Sequence, residues 1–143
     1  AEQFDWLSFQ LARTNGRPVA LFLHKPLFLN RPDDPETPET SIRYVPQPAR
    51  ARLIEMFARV DLRLIASGHV HQRRDFTFRH TRHVWAPSVG FKINDARQDR
   101  IAIKETGLVE YRFQGDSLEV RHLKAAGQVD IDIEEILAQM DPH

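Results

Sequence analysis

The stretch "LRLIASGHVHQRRD", residues 62–75, decides how the chain is read. It starts as a short apolar run, crosses Gly68 and delivers His69 and His71 with one valine between them. An apolar run of this length reads as a strand buried on both faces, the habit of a parallel sheet. The setting recurs upstream in "VALFLHKP", residues 19–26, where His24 ends the run. Two parallel strands that both end in His deliver imidazoles to one sheet edge, where ligands of open α/β sheets bind. In an extended backbone the rings of His69 and His71 would point the same way. A tight turn permitted by Gly68 would splay them instead. Neutral imidazole is a common metal ligand, and three convergent ones hold Zn²⁺ with a position left for water. The plainer alternative is a set of half-exposed polar side chains at strand ends.

Outward from this stretch, the pattern is helix, strand, helix, strand, then alternation. Residues 2–15 place Phe4, Leu7 and Leu11 at helical spacing, with Trp6 and Phe9 broadening the face. Asn15-Gly16 followed by Pro18 is a helix stop. Residues 30–48 hold five prolines and no apolar periodicity, which predicts a loop or lid. Helix is predicted again at about 48–59, with Leu53, Ile54 and Phe57 inward. Past Gly68, "RDFTFRH", "RHVWAPSV", "GLVEYRF" and "SLEVRHL" alternate as strands, the last two joined by a tight turn at Gln114-Gly115-Asp116. Residues 92–106 are polar and irregular, and 132–140 predict a helix capped by Asp132. The class is α/β, with parallel strands first and an antiparallel hairpin at the end.

The 143 residues fit one domain, 1–143, with enough chain to bury a core. Lys+Arg and Asp+Glu are both 20, so no basic excess marks a nucleic-acid or anionic-membrane surface. The absence of cysteine excludes disulfides and thiolate metal sites and fits a reducing, cytoplasmic setting. The longest apolar run is broken by His24, Lys25 and Pro26 and is too short to span a bilayer. No signal peptide is visible. The chain opens on Ala1, already in helical texture, which suggests a cut-out piece or a mature product rather than a natural start.

Gly68-His69-Val70-His71 after a buried strand resembles the Gly-His-x-His signature that closes the metallophosphoesterase (calcineurin-like phosphoesterase) domain. "LFLHKPLF" is similar to that family's His-then-Pro segment, and "QFDWLSFQLARTNGRP" to the helix ahead of it. The resemblance covers roughly residues 2–91, in matching order and intervals. It implies a β-sandwich with flanking helices, of which this chain is the C-terminal portion. It also implies that His24 and His69 ligate one metal of a dinuclear centre and His71 the other. The implied cofactors are two divalent ions, with Mn, Fe and Zn all open. The implied reaction is hydrolysis of phosphate mono- or diesters, in which two cations about 3.5–4 Å apart clamp the phosphate and activate a hydroxide.

The chain departs from the family where the remaining ligands should lie. No Asp-x-His precedes the Gly-His-x-His, since the one such triplet, Asp141-Pro142-His143, ends the chain, and Gly-Asp-x-x-Asp and Gly-Asn-His are absent. The 143 residues alone are therefore expected to be inactive, without a catalytic group of their own, and to hold at most one weakly bound metal. The expected partners are a phosphoester substrate, the missing N-terminal half of the same domain, and a second copy paired through an exposed sheet edge. A non-catalytic binding or assembly module, with structural or single-metal histidines, is the alternative. A stand-alone mononuclear zinc hydrolase is a weaker third option, since it would need a general base and no carboxylate sits close to the three histidines in sequence, Asp75 alone being left open.

Asn30, Arg43 and Tyr44 of the Pro-rich stretch, and Arg73 with Arg74, are candidates for a substrate wall, since Arg forks match phosphate oxygens. Lys25 is expected to point to solvent. Trp85 reads as core and Pro87-Ser88 as a turn. His80 and His83 are expected on opposite faces of a strand, and His122 on an exposed hairpin.

Overall fold

The computed structural model describes residues 2–140, in which four helices and six strands form a mixed α/β arrangement. In chain order they are α1 (Glu2–Ala12), β1 (Val19–Leu23), α2 (Pro38–Arg43), α3 (Gln47–Phe57), β2 (Leu62–Ser67), β3 (Arg74–Phe78), β4 (Thr81–Trp85), β5 (Leu108–Gln114), β6 (Ser117–Leu123) and α4 (Ile133–Met140). The four-stranded sheet runs β1-β2-β4-β3, and β5 and β6 form a separate antiparallel pair. β1 and β4 each lie parallel to β2, while β3 turns back antiparallel on β4. β1 and β3 are the sheet's edges.

Layering follows from the alternation of side chains, shifted once at Arg63, where Val19 pairs with Leu62 and Ala20 with Leu64, so that Leu62 shares a face with Ile65. Leu62 and Ile65 of β2 face the helices and meet Leu11 of α1, Leu53 and Phe57 of α3, and the Leu27–Phe28 pair after β1. Leu64, Ala66 and Val84 face the other way, against Val109, Tyr111, Leu118 and Val120 of the hairpin. Leu64 and Val84 are fully enclosed between the layers, and complete burial of such a side chain stabilises by about 1.5–3 kcal/mol. Apart from the exposed Arg63 and the terminal Ser67, β2 is thus apolar because both its faces are covered. Gly115, at φ 57°, makes the two-residue turn of the hairpin between Gln114 and Ser117.

Several expectations need correction. Trp6 and Phe9 do not join the inward face of α1; they are 62% and 57% exposed, and Phe9 carries the Arg13 guanidinium 5.0 Å from its ring centre. α1 also stops at Ala12, ahead of the left-handed residues Asn15 and Gly16. The Pro-rich stretch is not all loop, because it contains α2. Pro38 fits the first turn, where its missing N–H costs nothing. The Thr37 hydroxyl accepts from the Thr40 amide at 3.2 Å, and the Thr40 hydroxyl accepts from the Thr37 amide at 2.7 Å. The stretch is pinned inward by Arg50, whose buried guanidinium donates to the carbonyls of Leu27 and Asp34.

α4 is capped as its sequence predicts: the Asp132 carboxylate accepts from the Glu134 amide at 3.1 Å, and the Asp132 amide donates to Glu135. Among the described residues no helix is long and apolar enough to cross a membrane.

Candidate functional site

β1 and β2 end in register, Leu23 opposite Ser67, so the next residues of both strands emerge side by side. The Gly68 amide donates to the His24 carbonyl at 3.1 Å, which extends the parallel ladder to the site. Beyond this point the chain alternates between anchored and free residues. Val70 is 1% exposed and packs with Tyr44 and Trp85. Gln72 is fully enclosed; its amide group donates to the Gln98 side chain and the Asp99 carbonyl, and its oxygen accepts from the Ile101 and Ala102 amides. These two anchors hold the loop, with His71 between them and His69 just ahead of Val70.

His69 and His71 both take left-handed backbone, φ 64° and 53°. Gly68 does not, and a Cβ there would meet open space. The turn expected at Gly68 is therefore made by the histidines. Left-handed backbone in a non-glycine residue costs of order 1–3 kcal/mol and gathers at functional sites. Its consequence here is that the two rings diverge. His69 Nδ1 lies 2.9 Å from His24 Nε2, with the rings edge to face at 4.7 Å. His71 packs instead against the Phe91 ring at 4.9 Å.

The hydrogen bonding fixes the protonation pattern of the pair. His69 Nε2 sits 2.9 Å from the Ile42 carbonyl of α2. A carbonyl only accepts, so Nε2 carries the proton and Nδ1 offers its lone pair. In the neutral pair His24 Nε2–H then donates to His69 Nδ1. A ring N–H held by a backbone carbonyl is the usual outer support of a metal-ligating histidine.

These groups suit a cation chemically. Two nitrogens bound at 2.0–2.1 Å to one ion stand roughly 2.8–3.4 Å apart, and the observed spacing is 2.9 Å. His71 Nδ1 is buried without a hydrogen-bond partner among the described residues. Burial, and then the nearby His69 and His24, hold the His71 imidazole below its ordinary pKa and keep the lone pair available. The arrangement is a pair plus a neighbour. Among the described residues no group of three or more His, Asp or Glu side chains is set to hold a metal ion.

The other candidates are tied into the framework. Asn30 Oδ1 accepts from Arg74 at 2.8 Å, and Arg74 also donates to the Leu29 carbonyl while lying over Phe76 and Trp85. Arg43 lies 3.7 Å from Asp99, and Arg73 pairs with Glu105 at 2.6 Å. Lys25 reaches the Ser41 carbonyl rather than solvent. Tyr44 is buried against Trp85, which pushes its hydroxyl pKa up to about 12.

Asp75 does not approach the histidine pair. Its carboxylate takes two hydrogen bonds from Arg82 and lies 3.7 Å from His122. His122 is not an exposed hairpin residue: its side chain is 15% exposed, because β6 presses it onto β3. His80 and His83 do not face apart either; His80 sits in the β3–β4 turn, and both border one cavity.

A strand-ended pair of imidazoles on a mixed, hairpin-backed sheet is thus the class of site the chain presents. No protein-family model matches the chain, and no curated protein matches it.

Proposed function

We propose that the chain supplies part of the metal centre of a metallophosphoesterase domain, His24 and His69 holding one divalent cation and His71 a second. The carrying observation is the 2.9 Å convergence of His69 Nδ1 and His24 Nε2, with His69 Nε2 tied to Ile42. When bound, such ions supply positive charge to phosphoryl oxygens and acidify a bound water. The chain's own part is orientation. Val70 and Gln72 fix the loop, Ile42 fixes the His69 tautomer, and Phe91 braces the His71 ring. Three neutral imidazoles leave two dications uncompensated, so the reading requires carboxylates from another segment of the intact protein.

Zinc titration of the full chain, read by the ring nitrogens of all seven histidines, tests the ligand assignment. The reading expects shifts at His24 and His69 together. Both should be lost in His24→Ala and in His69→Gly, the latter keeping a left-handed backbone accessible. Unmoved His24 and His69 resonances at millimolar zinc refute it. The enzymatic part is tested by the reading frame upstream of Ala1. Asp-x-His, Gly-Asp-x-x-Asp and Gly-Asn-His in that order support it, and motifs without their Asp and His sink it.

A second reading has its own observation. The direct hydrogen bond between His69 and His24 would serve as a structural tie between strand ends in a non-catalytic module. In that case zinc does not displace the bond, and His24→Ala destabilises the fold with no effect of metal on stability.

A further inference from the structure

Far from the histidine pair, near the β3–β4 turn, a cavity of about 200 Å³ opens between the helical layer and the sheet. Its walls come from Leu27, Phe28, Phe57 and Phe78. Ala58, exposed at the end of α3, stands at its rim, and Arg79 and His80 of the turn stand at its mouth. Inside the mouth the lining is apolar but for two side chains of β4, Thr81, whose hydroxyl donates to the Leu62 carbonyl, and His83. His83 of β4 borders the space and is only 4% exposed. Its ring stacks on Phe76 at 5.0 Å with 16° between planes, and leans on Phe28 at 4.9 Å. Aromatic contacts cover its faces, and its ring nitrogens are not sealed off, so an edge of the ring opens to the cavity.

A ring edge that opens onto such a cavity offers a hydrogen-bonding group to whatever fills it. Burial, with Arg74 adding to it, pushes the His83 pKa down to about 4, so the ring is neutral at physiological pH and offers one N–H and one lone pair. An apolar cavity of roughly 150 Å³ holds benzene, so this space takes one or two fused rings. Aromatic walls favour an aromatic occupant in offset or edge contact. The Arg79 guanidinium, 5.6 Å from the Phe78 ring centre, adds a cation at the mouth that a ring face can meet.

We propose that this cavity is a binding site for a small neutral aromatic molecule of one or two rings that carries a hydroxyl or ring N–H to bond His83. The site is separate from the histidine pair and does not depend on the metal reading. The pocket follows the common design of an apolar cleft with one polar group that sets orientation.

Phenol, indole and benzene are the probes, titrated into the full chain and followed by amide and histidine ring NMR. The expected result is saturable binding of phenol and indole, with shifts centred on His83. Phenol should bind several-fold to about tenfold tighter than benzene, the worth of one hydrogen bond. Ala58→Trp, a surface change at the rim, should weaken phenol by roughly tenfold or more by filling the mouth. His83→Phe should make phenol and benzene equal. Absence of saturable shifts near His83 overturns the proposal. Equal affinity for phenol and benzene in the unmodified chain also overturns it, since water would then be completing His83. Unchanged binding in Ala58→Trp does the same. If His83→Phe fails to fold, the phenol-to-benzene ratio and Ala58→Trp still decide.

Discussion

Acid should unfold this protein early through one side chain, His83. The ring is 4% exposed and sandwiched by Phe76 and Phe28. Burial first, and the Arg74 charge second, lower its pKa from 6.5 to about 4. The unfolded chain takes up a proton near the ordinary value, while the folded chain refuses it until much lower pH. Stability is therefore intact above about pH 6.5 and is lost as pH falls from there towards 4. At 1.36 kcal/mol per pKa unit the full loss is about 3 kcal/mol, and about 2 kcal/mol of it has gone by pH 5. Urea unfolding at pH 7.5, 6.5, 5.5 and 5.0 measures this in the unmodified chain and in His83→Phe. With a urea slope of about 2 kcal/mol per molar, the midpoint should fall roughly 1 M further in the unmodified chain than in the variant. Asp75 and Asp95 are held below the ordinary carboxylate range, so their contribution is lost at still lower pH. His71 and His122 titrate in both proteins and cancel in the difference. Equal midpoint losses in the two proteins over this window refute the argument.

Four further outcomes are expected. Gly107→Ala should lower Tm by roughly 2–8 °C, because its Cβ would sit 2.8 Å from the Leu123 carbonyl oxygen and force β6 to shift. Thr37→Ala should cost α2 about 1 kcal/mol and speed exchange of the Thr40 amide roughly fivefold, with the rest of the exchange map unchanged. In Asp75→Asn the His122 titration, followed by its ring proton, should move to lower pH, since burial depresses it and the Asp75 charge opposes that shift. Hydrolysis of p-nitrophenyl phosphate with manganese by the 143-residue chain should not exceed that by His69→Gly; a clear excess would show that the carboxylates are dispensable.

The elements easiest to read from sequence were those whose patterns reflect burial on a large surface. "VALFL" and "LRLIAS" have apolar runs because β2 is covered on both sides and β1 leans on it. That reading put His24 and His69 at one edge, and the structure brings their rings into contact. What escaped depends on the partner rather than the segment. α2 is six residues long, too short for periodicity, and its only signals are Thr37, Pro38 and Thr40. Counting Trp6 and Phe9 into the buried face of α1 fails because on a helical wheel they lie roughly opposite Phe4, Leu7 and Leu11, and they are exposed. His122 sits in an ordinary alternating strand, and only the packing of the hairpin on β3 buries it. The organising role of Gln72 was invisible, because its four partners lie 26–30 residues downstream in a stretch with no pattern.

The left-handed backbone at His69 and His71 also filters what evolution or a mutagenesis library can place there. Glycine pays no steric penalty at such positions, and asparagine and aspartate tolerate them better than other residues. A library randomised at both codons and selected for folding alone should return Gly, Asn and Asp ahead of Ala, and almost no Val or Ile. Lineages that abandon the histidines would drift along the same narrow route, leaving a polar or glycine scar on either side of the buried Val70.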